Sequence, residues 1–186
     1  MNLRRANAII TISLLFLILV HIMMGVFQMT GITLVLPLWK KVLSYTMVAL
    51  VLAHGVIGAI LTHSSLKLAK KQENKYVKQN CKFWIMRISG FLMVIFIAYH
   101  IWLFSNGTSE LLRLKFFGEI QLAVSLLLVL AIFVHIGIGI RSLFISIGLE
   151  RLRKFIKDSK WIFFIVLSIG AVAFVIYYLR WNVLWQ

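Results

Sequence analysis

The chain is short of acid. Five carboxylates stand against twenty lysines and arginines, a formal net charge of +15. All five, Glu73, Glu110, Glu119, Glu150 and Asp158, fall in connecting segments or at the ends of apolar runs. Paired carboxylates for acid–base chemistry are missing, and the lack of membrane carboxylates weakens a proton-coupled transporter. Cysteine is nearly absent too. Cys81 is alone, which excludes an intrachain disulfide, a CxxCH covalent haem attachment and a cysteine-held iron–sulfur cluster. The single proline, Pro37, lies in a connection. No GxxxxGK[ST], HExxH or GxSxG run occurs. A stand-alone ATPase or hydrolase therefore has nothing to work with.

What the chain has instead is apolar length. The hydrophobic fraction is 62% and the mean hydropathy is +0.98. Five runs approach the roughly 20 residues needed to cross a bilayer: Ala8–Phe27, Val42–Leu61, Phe83–Phe104, Ile120–Ile140 and Trp161–Leu179. Open strand edges have no partners in lipid, so these runs are helices. The expected fold is all-α, an integral membrane bundle of five helices forming one domain over 1–186, with no room for a separate soluble domain.

The charge is not spread as a nucleic-acid surface would be. Arg4–Arg5, Lys67–Arg87 and Arg141–Lys160 hold fifteen of the twenty basic residues on one side of the membrane. Lys40, Lys41, Arg113, Lys115 and Arg180 lie on the other. The positive-inside rule puts the N-terminus in the cytoplasm and the C-terminus outside. The basic inner surface suits anionic lipid or an acidic soluble partner. Arg4 and Arg5 resemble the start of a signal peptide. The run after them is longer than the usual 7–15 residues of such a segment, so retention as the first span is expected.

The first connection, Gln28–Lys41, is apolar and is expected to lie in the interface as a short helix or turn, with Trp39 in the aromatic belt. The second, Thr62–Lys82, reads as an amphipathic surface helix or a solvated linker. Asn106-Gly107 marks a turn in the third, and Gly148–Lys160 forms a basic fourth. Trp181 and Trp185 suit the outer interface.

Four of these spans carry one histidine each: His21, His54, His100 and His135. An ionisable residue in hydrocarbon is a functional candidate, and two opposed imidazoles are the axial ligands of a bis-histidine haem. At about 1.5 Å per residue, His21 lies about 24 Å from Arg5 and His100 about 20 Å from Arg87. Both reach the outer leaflet and can share a haem. Depth leaves the partner of His135 open between His54 and His63. At about 100° per residue, those two face opposite sides of their helix, so only one looks into the bundle. His54 has Gly55 beside it and Gly58 one turn on, His21 has Gly25, and His135 has Gly137 and Gly139. Such glycines suit a flat macrocycle over the backbone, or close helix packing of the small-xxx-small kind.

Arg87–Trp102, RISGFLMVIFIAYHIW, resembles the third span of the succinate dehydrogenase/fumarate reductase cytochrome b subunits, in the order Arg-x-x-Gly, apolar residues, His. The likeness is to the single-subunit, five-helix, di-haem anchors that work with menaquinone. HGVIGAILTHSS, HIGIGIRSLFISIG and RRANAIITISLLFLILVH resemble the second, fourth and first spans. The resemblance implies two bis-histidine haems b: His21 and His100 on the outer one, His54 and His135 on the inner one. It also implies a flavoprotein and an iron–sulfur partner at the inner face, with electrons passing between succinate or fumarate and the quinone pool. The chain departs from the pattern at Ala6, Asn7 and Ala8, where a histidine-serine pair often stands. It also lacks the buried carboxylate that some di-haem members use; Glu119 is the nearest candidate.

Arg87 and Arg141 lie near the inner helix ends. They suit propionates of the inner haem, or lipid headgroups reached by snorkelling. Gln28, Trp102 and Asn106 are quinone candidates near the outer haem, and His63 near the inner one. Two other functions fit the same spans. One is a di-haem cytochrome b of another membrane oxidoreductase. The other is a non-haem protein, a transporter with a histidine relay or an assembly factor.

Overall fold

The computed structural model describes residues 3–32, 38–71, 77–105, 114, 117–148 and 153–184. They form five helices: α1 (Leu3–Met29), α2 (Leu38–Lys71), α3 (Val77–Ser105), α4 (Glu119–Ser146) and α5 (Arg153–Asn182). Each is long and apolar enough to cross a membrane. Large apolar side chains cover the outside, among them Phe16, Phe91 and Ile120, at 65%, 69% and 72% exposure. So extensive an exposed apolar surface belongs against lipid. The chain is a multi-pass integral membrane protein.

Helices are longer than the apolar runs. α2 begins at Leu38, so Trp39 and Lys40 are helical, and it continues to Lys71. α3 begins at Val77. The second connection is therefore no surface helix of its own among the described residues; its helix-forming lysines extend α2 and α3. Hydropathy reports only the length in hydrocarbon, whereas a helix satisfies its own backbone beyond it. Asn106-Gly107, residues 149–152 and Trp185 lie outside the described residues.

Successive packed helices run antiparallel. Thr11 meets His54, and Lys40 donates to Gln28, across α1 and α2. Ser89 meets His135, and Met86 meets Gly139, across α3 and α4. Phe144 meets Phe155, and Gly137 meets Phe164, across α4 and α5. α5 also lies along α1, where Gly170 admits Ile22. α2 packs on α1; among the described residues it has no comparable packing against α3.

The tight core lies around α4 and α5. Ile136, Ile140, Phe163 and Leu167 form one cluster, with Leu19 and Ile22 of α1 against it. Met29, Leu103, Phe117, Ala173 and Tyr177 form a second, toward the end where α1 stops. Backbone groups there are met by side chains. Leu114 N–H donates to Tyr177 Oη at 2.7 Å, and Asn182 Nδ2 donates to the Phe117 carbonyl at 2.8 Å. α1 closes at Gly31, at φ +81°, with Ile32 N–H returning to the Phe27 carbonyl at 2.9 Å.

Candidate functional site

The four span histidines fall into two facing pairs. The rings of His21 and His100 have centres 6.2 Å apart and planes at 66°. Those of His54 and His135 have centres 6.3 Å apart and planes at 84°. Each pair joins helices that are not principal packing partners, α1 with α3 and α2 with α4. The pairs thus lie across the middle of the four-helix arrangement. They occupy different levels. Thr11 marks the His54 level on α1, ten residues before His21, or about 15 Å along the axis.

In the His21 pair, two aromatic rings pack against His100. Phe104 lies 4.5 Å and Phe174 6.4 Å from His100, centre to centre, so α5 contributes to this site. The Nδ1 atoms of His21 and His100 are both buried without a hydrogen-bond partner among the described residues. Lys40, held by Gln28 Oε1, is close enough for its charge to bear on His21. A Cβ added at Gly25 would meet nothing within 4 Å, so space lies open one turn beyond His21.

The His54 pair is held by hydroxyls. Thr11 Oγ1 stands 3.1 Å from His54 Nδ1, and Ser89 Oγ stands 3.1 Å from His135 Nδ1. Gly90 lets the His135 ring lie against its backbone. Gly58, one turn past His54, has nothing within 4 Å of its Cβ position. Arg87 is half-buried, its guanidinium 4.6 Å from the Phe83 ring centre, and its charge bears on both His54 and His135. Its Nε and the Asn7 Oδ1 are buried without partners among the described residues.

Other sequence candidates are not gathered here. His63 is exposed, in an open surface groove with Ser64, Lys67 and Leu68. Arg141 is exposed on α4. Trp102 is half-exposed and its ring lies 5.5 Å from that of Tyr99. Asn106 lies outside the described residues. Gly137 and Gly139 serve helix packing, against Phe164 and Met86, while Gly25 and Gly58 border open space. Thr11, Ser89, Phe104 and Phe174 went unmarked in the sequence because nothing in their local pattern sets them apart.

No group of three or more His, Cys, Asp or Glu able to hold a bare metal ion occurs among the described residues. Two imidazoles suffice for an iron whose equatorial ligands come with a macrocycle. No curated protein and no solved structure matches the chain. Residues 75–177, more than half of it, match the family described as succinate dehydrogenase/fumarate reductase transmembrane subunit. That stretch spans most of α3 to α5 and contains His100 and His135. The chain belongs to the succinate dehydrogenase/fumarate reductase transmembrane subunit family.

Proposed function

We propose that this subunit is a di-haem cytochrome b anchor. His21 and His100 hold one haem b; His54 and His135 hold the other. The ring separation carries the reading. An imidazole nitrogen binds a metal at about 2.0–2.1 Å and lies about 1.1 Å from its ring centre. Two rings on opposite faces of one iron therefore have centres about 6.3 Å apart. The observed 6.2 and 6.3 Å agree. An edge-to-face ring contact spans about 4.5–7 Å, so surroundings must separate the two cases. Open space beyond His21 and His54, and the buried, unpartnered Arg87 Nε that suits a propionate, favour the cofactor.

A haem held by two histidines would supply reversible one-electron chemistry. The chain's residues do the rest. The four helices provide a sheath of low dielectric and fix the imidazoles at two levels. Arg87, with its spare Nε–H, suits carboxylates at the His54 level, with Arg141 a further cation there; Lys40 suits carboxylates at the His21 level. The N-terminus lies in the cytoplasm on this reading, because the basic excess is at that end. The basic segments 67–82 and 151–160 receive a flavoprotein and an iron–sulfur subunit. Electrons then pass between succinate or fumarate chemistry and a quinone, taken to be menaquinone. Gln28 and Trp102 on the side of the His21 pair, or His63 on the side of the other, are the quinone contacts proposed, with Asn106 a further candidate from the sequence.

The test is purification with native partners. Two haems b per chain by pyridine haemochrome, both soluble subunits in the pull-down, and reduction of a haem by succinate are expected. An intact chain from a haem-replete host with no Soret band overturns the cofactor. Recovery of an unrelated dehydrogenase moves the chain to another oxidoreductase.

A further inference from the structure

The two histidine pairs differ in what holds their second nitrogen. Thr11 Oγ1 donates its one proton to the Asn7 carbonyl, at 2.7 Å. It stands 3.1 Å from His54 Nδ1 and has only lone pairs left to offer. Ser89 repeats the arrangement on α3. Its Oγ donates to the Met86 carbonyl at 3.2 Å and stands 3.1 Å from His135 Nδ1. On the haem reading Nε2 is the nitrogen that holds the iron, so Nδ1 carries the proton and donates to the hydroxyl oxygen in both cases. Ser89 is 5% exposed, which keeps competing water away. The His21 and His100 Nδ1 atoms have no such partner among the described residues.

We infer that Thr11 and Ser89 are positioning residues which fix the Nδ1–H tautomer of the His54/His135 pair and make its imidazoles the more electron-donating ligands. The inference rests on the haem reading above. A hydrogen bond accepted from Nδ1–H fixes ring orientation and raises ligand basicity. A more basic ligand stabilises ferric over ferrous iron and lowers the reduction potential. Each hydroxyl therefore lowers the potential of the His54/His135 haem relative to the same site without it. Both hydroxyls come from a neighbouring helix, α1 for His54 and α3 for His135, so each bond also fixes the register of a helix pair.

The experiment compares the full-length protein, purified with its native subunits, with the Thr11→Val/Ser89→Ala variant. Haem content, both midpoint potentials and the ferric low-spin EPR signals are measured. Two haems are expected to remain. One midpoint should rise, by up to about tenfold in the reduction equilibrium, which is about 59 mV for one electron. The other midpoint should stay in place, and the EPR signal of the affected haem should move with its potential. The exchange Thr11→Ser/Ser89→Thr, which keeps both hydroxyls, should restore the original values. Midpoints that stay fixed, or that both move alike, overturn the inference. Should the double variant lose a haem, Thr11→Val and Ser89→Ala singly decide. A raised midpoint in either supports the role, and none in both overturns it. Haem loss in the hydroxyl-keeping exchange as well marks plain packing and overturns it too. A parent protein with no haem fails the functional reading itself, whereas two haems with unmoved midpoints fail this inference alone.

Discussion

The His135 imidazole lies against the backbone of Gly90: a Cβ there would stand 3.3 Å from Cε1 of the ring. This contact gives a physical meaning to the glycine of the Arg-x-x-Gly run in α3. One methyl would push the ring by a few tenths of an ångström, and a larger side chain would displace it. Gly90→Val is expected to reduce haem content from two per chain to one, whereas Gly90→Ala should keep both and shift one midpoint. Pyridine haemochrome and redox titration check both outcomes.

Gly25 and Gly58 test the cofactor against bare helix packing. Neither has an atom within 4 Å of its Cβ position. If only protein filled this bundle, Gly25→Leu and Gly58→Leu would be tolerated, with the gain in helix propensity of roughly 1 kcal/mol that losing a glycine brings. The proposed reading expects each to lose one haem, a different one in each variant. Visible spectra of the two purified proteins give the answer.

Pairing makes a sharper demand. His21→Ala and His100→Ala should lose the same haem and leave identical residual spectra, and His54→Ala and His135→Ala should both lose the other. His63→Ala should keep both, because His63 is exposed on α2. A spectrum in which His21→Ala matches His54→Ala would break the assignment.

Gly31 carries a stability prediction free of any cofactor. Its φ is +81°, and a Cβ there would run into the Arg180 guanidinium. Arg180 in turn reaches the Thr30 carbonyl at 3.5 Å and lies 5.2 Å from the Trp181 ring centre. Gly31→Ala should cost about 1–2 kcal/mol for the left-handed backbone, plus the displacement of Arg180. Thermal unfolding in detergent should show a lowered midpoint, with Gly148→Ala milder: that glycine has the same φ and open space around it.

The spans and their histidines were legible because hydrocarbon imposes a simple rule on composition, and four ionisable residues break it conspicuously. The level of His21 and His100 followed from helical rise alone. Helix ends were not legible, because Trp39 or Lys71 can sit in a helix beyond the bilayer and leave no mark on hydropathy. Gly137 and Gly139 stood as close to a histidine as Gly25 and Gly58 do, yet pack against Phe164 and Met86. Only the helix arrangement separates those uses. Thr11 and Ser89 were hidden for another reason. Hydroxyls bonded to their own helix backbone are common here, as at Thr46, Thr62 and Ser65. Which of them also face a histidine depends on the neighbouring helix.

The crosswise arrangement of the pairs also sets an order in time. Each pair takes one histidine from α1 or α2 and the other from α3 or α4. Chains are made N-terminus first, so α1 and α2 enter the membrane with both sites half-built. The His21/His100 pair becomes complete when α3 arrives, and the His54/His135 pair waits for α4. On the proposed reading, cofactor loading follows synthesis, with the His21 haem able to enter before the His54 haem. A chain halted after α3 would then hold one full ligand pair, still without the α5 ring beside it, caught midway through its own maturation.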